Sequence, residues 1–164
     1  MGVVNTKTAT LTAADTAGDL LANGGRPLHG IVATIAVASG NSATSTFRMV
    51  RVPSSIVLHN VELAWDALGG SCAADLGIYE VAANGGAVVD ADEFASEIAM
   101  ASAGAFTSEL EEAAATDIAK IGKPLWERLG LTSDPGKAYD IVATLTAAAG
   151  ADGDIAIRLR YTTP

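Results

Sequence analysis

A chain of 164 residues with 19 acidic and 10 basic side chains, net charge −9, is long enough for one buried core and too acidic to favour nucleic-acid phosphates or anionic lipid. Its single cysteine excludes an internal disulfide, and no apolar run reaches the length of a membrane span. Hydrophobic residues make up 49% of the sequence but aromatics only 5%, so small side chains carry the apolar content and stability has to come from many modest contacts, within the chain or with other subunits.

Residues 1–27 read as an extended arm. Thr6, Thr8, Thr10 and Thr12 alternate with Lys7, Ala9, Leu11 and Ala13, a period of two with few large apolar groups. Such a segment is either an arm that needs another surface to order it, or a frayed terminus or edge strand. The start carries no long apolar stretch of the kind a secretory leader needs, and the match of Met1-Gly2 and Thr6 to the myristoylation pattern is read as chance. Asn23-Gly24-Gly25 and Pro27 then punctuate the chain, and residues 28–164 form one domain.

Ile31 to Ala38 predicts a buried strand, with Ile31, Ala33, Ile35 and Val37 on one side. After the turn at Ser39-Gly40-Asn41-Ser42, Thr44 to Val52 predicts a second strand in which Phe47 and Met49 oppose Arg48 and Val50. Pro53-Ser54-Ser55 breaks it. Ile56 to Trp65 predicts a third, with Val57, His59, Val61, Leu63 and Trp65 on one face. Leu68-Gly69-Gly70-Ser71 turns the chain into a fourth strand, Ala74 to Val81.

Beyond Asn84-Gly85-Gly86 the pattern changes. Asp90 with Glu93 three residues on has the spacing of a helix start, and Phe94, Ile98 and Ala101 share a helical face. Leu110 to Ile121 has acids at its start and Lys120 near its end, as a helix would, and fits an irregular acidic loop equally. Pro124 opens a short helix with Leu125 and Leu129 on one face and Gly130 closing it; Asp134-Pro135-Gly136 is a turn. Tyr139, Ile141, Ala143 and Leu145 alternate with polar or small residues, and so do Ile155, Ile157, Leu159 and Tyr161 after the turn at Ala151-Asp152-Gly153-Asp154. That pair reads as a hairpin with one apolar face. Strands of this length bounded by Gly and Pro predict a mainly β chain, a sandwich with short helices in its connections.

No catalytic motif stands out. Neither His29 nor His59 has a neighbouring Cys/His set, so a zinc site is not expected. Cys72 lacks a partner motif and reads as a small buried group. Nucleophile-elbow and phosphate-loop patterns are absent. Asp90, Asp92 and Glu93, and Asp152 with Asp154, lack calcium-loop spacing and read as solvated turn residues. Trp65 and Trp126 sit beside leucines and read as core rather than as sugar platforms. No metal, no cofactor and no enzymatic activity are expected.

One resemblance spans residues 45–164. Arg51-Val52-Pro53-Ser54-Ser55, Ala74-Asp75-Leu76-Gly77-Ile78-Tyr79, Val89 to Ser96, Lys123-Pro124-Leu125-Trp126-Glu127, Gly130 to Gly136 and Ile157-Arg158-Leu159-Arg160-Tyr161 follow in an order that resembles the small proteins that cement or decorate the capsids of tailed bacteriophages. The resemblance implies a jelly-roll-like antiparallel β-sandwich on the outer surface of the virion, a homodimer or homotrimer that bridges major capsid protein subunits; the acidic charge argues against nucleic acid and membrane as partners. Expected coat or neighbour contacts are Val3, Val4, Thr8 and Leu11 in the arm, with Arg48 and Arg51. The alternative is a glycan- or receptor-binding sandwich of a phage tail or fibre.

Overall fold

The computed structural model describes residues 27–109 and 118–164. Eight strands follow in order: β1 (Leu28–Val37), β2 (Thr46–Pro53), β3 (Val57–Trp65), β4 (Ala73–Glu80), β5 (Val88–Ala99), β6 (Gly104–Ser108), β7 (Ala138–Ala147) and β8 (Gly153–Thr162). A one-turn helix, α1 (Leu125–Arg128), and 3-10 turns at Ala82–Asn84 and Ile118–Lys120 lie in the connections. The arm residues Val3, Val4, Thr8 and Leu11, and most of the segment expected as an acidic helix or loop, lie outside the described residues.

The pairing is nested. β1 pairs with β8, β2 with β7, β3 with β6 and β4 with β5, all antiparallel. The chain is therefore a double ribbon turned back between β4 and β5. It wraps so that β8 also meets β3 and β7 also meets β4. Two four-stranded sheets result, β1-β8-β3-β6 and β2-β7-β4-β5, the strand order of a jelly roll. Among the described residues only β4 and β5 form a local hairpin; every other pair of successive strands lies in opposite sheets.

Four expectations are corrected. First, β7 and β8 do not form a hairpin: they lie in opposite sheets. Ala149 is buried, and the Gly150 and Ala151 amides donate to the Leu68 carbonyl at 2.8 and 2.9 Å, which pins the crossing loop. The apolar faces Tyr139/Ile141/Ala143/Leu145 and Ile155/Ile157/Leu159 belong to one core between the sheets, rather than to one surface side by side.

Second, residues 90–99 are strand, not helix. A short helix is marginal in water, whereas β4 offers this segment a ladder. The β4–β5 register slips three times. Those slips let the consecutive residues Glu93, Phe94 and Ala95 all be buried, which simple alternation forbids. Gly77 makes the close approach possible, because a Cβ there would lie 2.2 Å from the Asp90 carbonyl oxygen.

Third, the faces of β3 exchange part-way. A register slip between Leu58 and Asn60 leaves Leu58 buried with Val61 and Leu63, and His59 exposed. Fourth, β1 is a half-buried edge strand, its burial alternating until Val37. The short helix is close to expectation, with Pro124 just outside it. Its first amides are satisfied by backbone: Leu125 donates to the Ile56 carbonyl and Trp126 to that of Ser54.

Candidate interaction surfaces

The residues with chemical potential are used to hold the fold. The Cys72 thiol is buried, and burial raises its pKa, which keeps it from being a ready nucleophile. His59 Nε2 lies 3.1 Å from the Thr162 hydroxyl, and His29 stacks on Tyr161. Asp90 Oδ1 accepts from the Asp92 amide and Asp152 Oδ1 from that of Ser39. Trp65 is half-buried, its ring against Gly104 and its Nε1 donating to the Ser102 carbonyl at 2.9 Å; Trp126 is also half-buried. Among the described residues no group of three His, Cys, Asp or Glu side chains is arranged to hold a metal.

Arg48 and Arg51, 3 residues apart, meet at Asp140 on the outer face of the β2-β7-β4-β5 sheet. Arg48 Nη1 is 2.9 Å from Asp140 Oδ2, and Arg51 Nε is 2.7 Å from Asp140 Oδ1. The register slip in β2 between Arg48 and Val50 helps bring both guanidiniums to one carboxylate. The two arginines are not equivalent. Arg48 also donates to the carbonyls of Glu80 and Gly86 and lies over the Tyr79 ring, so it latches β2 to the β4–β5 turn. The Arg51 side chain is 59% exposed and free to meet a partner at its outer side. Beside them Lys137 pairs with Glu80.

Asp140 sets a pH dependence. Burial pushes its carboxyl up, but hydrogen bonds and charge from Arg51 and Arg48 outweigh that and hold it below the ordinary aspartate range. Glu62, hydrogen-bonded by Arg158, and Asp134, hydrogen-bonded by the Ser54 hydroxyl and the Gly136 amide, are held low as well. A lowered folded value means stability present above the unfolded value, near 4, and lost as pH falls through the folded one. Denaturant unfolding between pH 7 and 3 is expected to show this loss. Asp140→Asn should cost roughly 1–2 kcal/mol at pH 7, discounted for the exposed arginines, and the gap to the parent should close below pH 4.

The two ends of the sandwich differ in charge. One end gathers the connections 38–45, 66–72, 100–103 and 148–152, none of which contains Lys or Arg. Asp66, Asp75, Glu97, Asp152 and Asp154 lie there. An open groove of about 630 Å³ beside them is lined by Val37, Asn41, Phe47, Asp152 and Asp154 among others. The opposite end holds Lys120, Lys123, Arg128 and Lys137, each paired with a carboxylate of that end (Glu93, Glu127, Glu93 and Glu80), and the start of β1, where Leu28 pairs with Thr162. The described chain therefore begins at the end away from the five carboxylates. Composition displays the net charge, but only the topology shows that, among the described residues, one end has acids and no bases.

No protein-family model and no curated protein sequence matches this chain. Solved structures do. A chain of the Cyanophage Pam1 capsid asymmetric unit superposes with a TM-score of 0.54 at 15% identity, over 85% of this chain and 87% of that one. A chain of the capsid of Ralstonia phage GP4 superposes with a TM-score of 0.58 at 16% identity, over 84% and 85%. At these identities what is shared is the fold.

Proposed function

We propose that this chain is a structural protein of a tailed-phage capsid, one that decorates the outer surface and stabilises the shell by bridging major capsid protein subunits. The observation that supports this most is the match to chains from two phage capsid structures, which runs over nearly the whole of both partners rather than over a shared fragment. The role needs no reaction and no cofactor. It works by mass action: a protein that binds only the assembled lattice stabilises that lattice by its binding free energy, and many symmetric copies add avidity.

The charge distribution gives the proposal an orientation. The carboxylate-rich end faces solvent, where it keeps copies soluble and apart. The arm end faces the shell, so Val3, Val4, Thr8 and Leu11 contact coat or a neighbour, with the exposed Arg51 as a secondary contact. Arg48 is assigned instead to holding the fold.

Deleting residues 2–13 tests this. In co-sedimentation with particles of the encoding virus stripped of this protein, the truncated chain is expected to bind at least about tenfold more weakly while its melting temperature is unchanged. Unaltered binding by the truncated chain would remove the arm from the interface. Failure of the full chain to bind would remove the capsid role.

A further inference from the structure

Each sheet has two edge strands, and an exposed edge is a template for another strand unless something blocks it. Three of the four edges are blocked. β2 carries Arg48, Arg51, Pro53 and a register slip. β5 carries Asp90, Asp92, Glu93 and Glu97 and slips three times. β6 is 5 residues long and slips once. β1 has none of these devices. It runs 10 residues in unbroken register with β8 and contains no Lys, Arg, Asp, Glu or Pro. Among the described residues no strand lies on its other side. Val32 and Leu28, on its outer face, are 67% and 60% exposed.

We infer that β1 is a homodimer seam: two copies pair antiparallel through this strand about a two-fold axis at Val32, joining two four-stranded sheets into one of eight. The strand is its own complement in that register. On the outer face Val32 meets Val32 of the second copy, Leu28 meets Ala36, and Gly30 meets Thr34. On the inner face Ile31 meets Ala33 and His29 meets Ile35. No acid or base is brought against another, so a second copy meets no opposing charge along the seam. Chains of net charge −9 repel, so they approach most readily along a strip without Lys, Arg, Asp or Glu.

The test is sedimentation of the full chain and of Val32→Lys, with cysteine cross-linking under a mild oxidant. The parent is expected to dimerise reversibly. Two lysines facing each other at the axis should weaken that dimer by roughly ten- to a thousand-fold, and because Val32 is exposed the melting temperature of the monomer should hold. Val32→Cys should cross-link with itself, since opposed residues approach within disulfide reach. Thr34→Cys alone should not cross-link, whereas Gly30→Cys combined with Thr34→Cys should; buried Cys72 does not compete. A parent that stays monomeric, a Val32→Lys dimer of undiminished affinity, or a dimer cross-linked through Thr34→Cys but not Val32→Cys would each overturn the seam.

Discussion

Glu93→Ala is expected to destabilise the sandwich by about 3–5 kcal/mol, because it strands a buried guanidinium. Glu93 and Arg128 are 1% and 2% exposed at their side chains. Glu93 Oε1 accepts from Arg128 Nη2 at 2.9 Å and from Nε at 3.1 Å, and Oε2 accepts from Lys120 Nζ at 2.7 Å. Arg128 also lies over the Phe94 ring. One carboxylate thus ties β5 to α1 and to the 3-10 turn before it, fastening the long β6–β7 connection to the core. Removing the carboxylate leaves Arg128 charged, buried and unpaired. Replacing both partners, as in Glu93→Leu with Arg128→Met, removes the unpaired charge and should recover most of the loss. Urea unfolding measures both. A loss under about 1 kcal/mol for Glu93→Ala would mean that water reaches the pair in solution.

The second large effect is expected at Gly77. An alanine Cβ there would sit 2.2 Å from the Asp90 carbonyl oxygen and 2.3 Å from the Ala91 carbonyl carbon. Both obstacles are backbone of the adjoining strand, so relief requires β5 to move off β4 at the one place where the ribbon turns back locally. Overpacking of this kind costs about 1–3 kcal/mol, and backbone contact puts Gly77→Ala at the upper end. Gly30→Ala is the control. Its nearest neighbour, the Leu159 carbonyl oxygen, is 3.9 Å away, so the change should be within about 0.5 kcal/mol of neutral. Equal melting temperatures for the two variants would contradict the close approach of β4 and β5.

Six of the eight strands were legible in the sequence because alternation is a local property; β5 was expected as a helix and β6 was not foreseen. Ile155, Ile157 and Leu159, or Leu76 and Ile78, declare a strand without knowledge of its neighbours, and the glycine and proline turns between them follow from backbone sterics. Pairing was not legible, because a jelly roll joins first strand to last. Proximity in sequence argued for β7 against β8, and only the Leu68 carbonyl holding Gly150 and Ala151 shows why the loop crosses instead. The helix expected from Asp90 failed for a similar reason: its cue was local spacing, while the outcome depended on a glycine 13 residues upstream. His59 was placed on the wrong side because a bulge shifts every residue beyond it by one.

The surfaces were legible to a smaller degree. Arg48 and Arg51 stood out as cations on a predicted strand, but nothing in their spacing revealed Asp140, 89 residues beyond Arg51, as their common partner. The unblocked edge of β1 could have been suspected from a stretch without charge or proline, yet its significance depends on its lying at the margin of a sheet, which is a fact of topology.

Cryo-electron microscopy of particles of the virus that encodes this chain tests the capsid role most directly. The expected map shows two packed four-stranded sheets outside the coat lattice, bridging adjacent subunits, with the start of β1 toward the shell and Asp66, Asp152 and Asp154 toward solvent. A shell whose density leaves no place for this sandwich, or a copy found in the tail or inside the capsid, would contradict it.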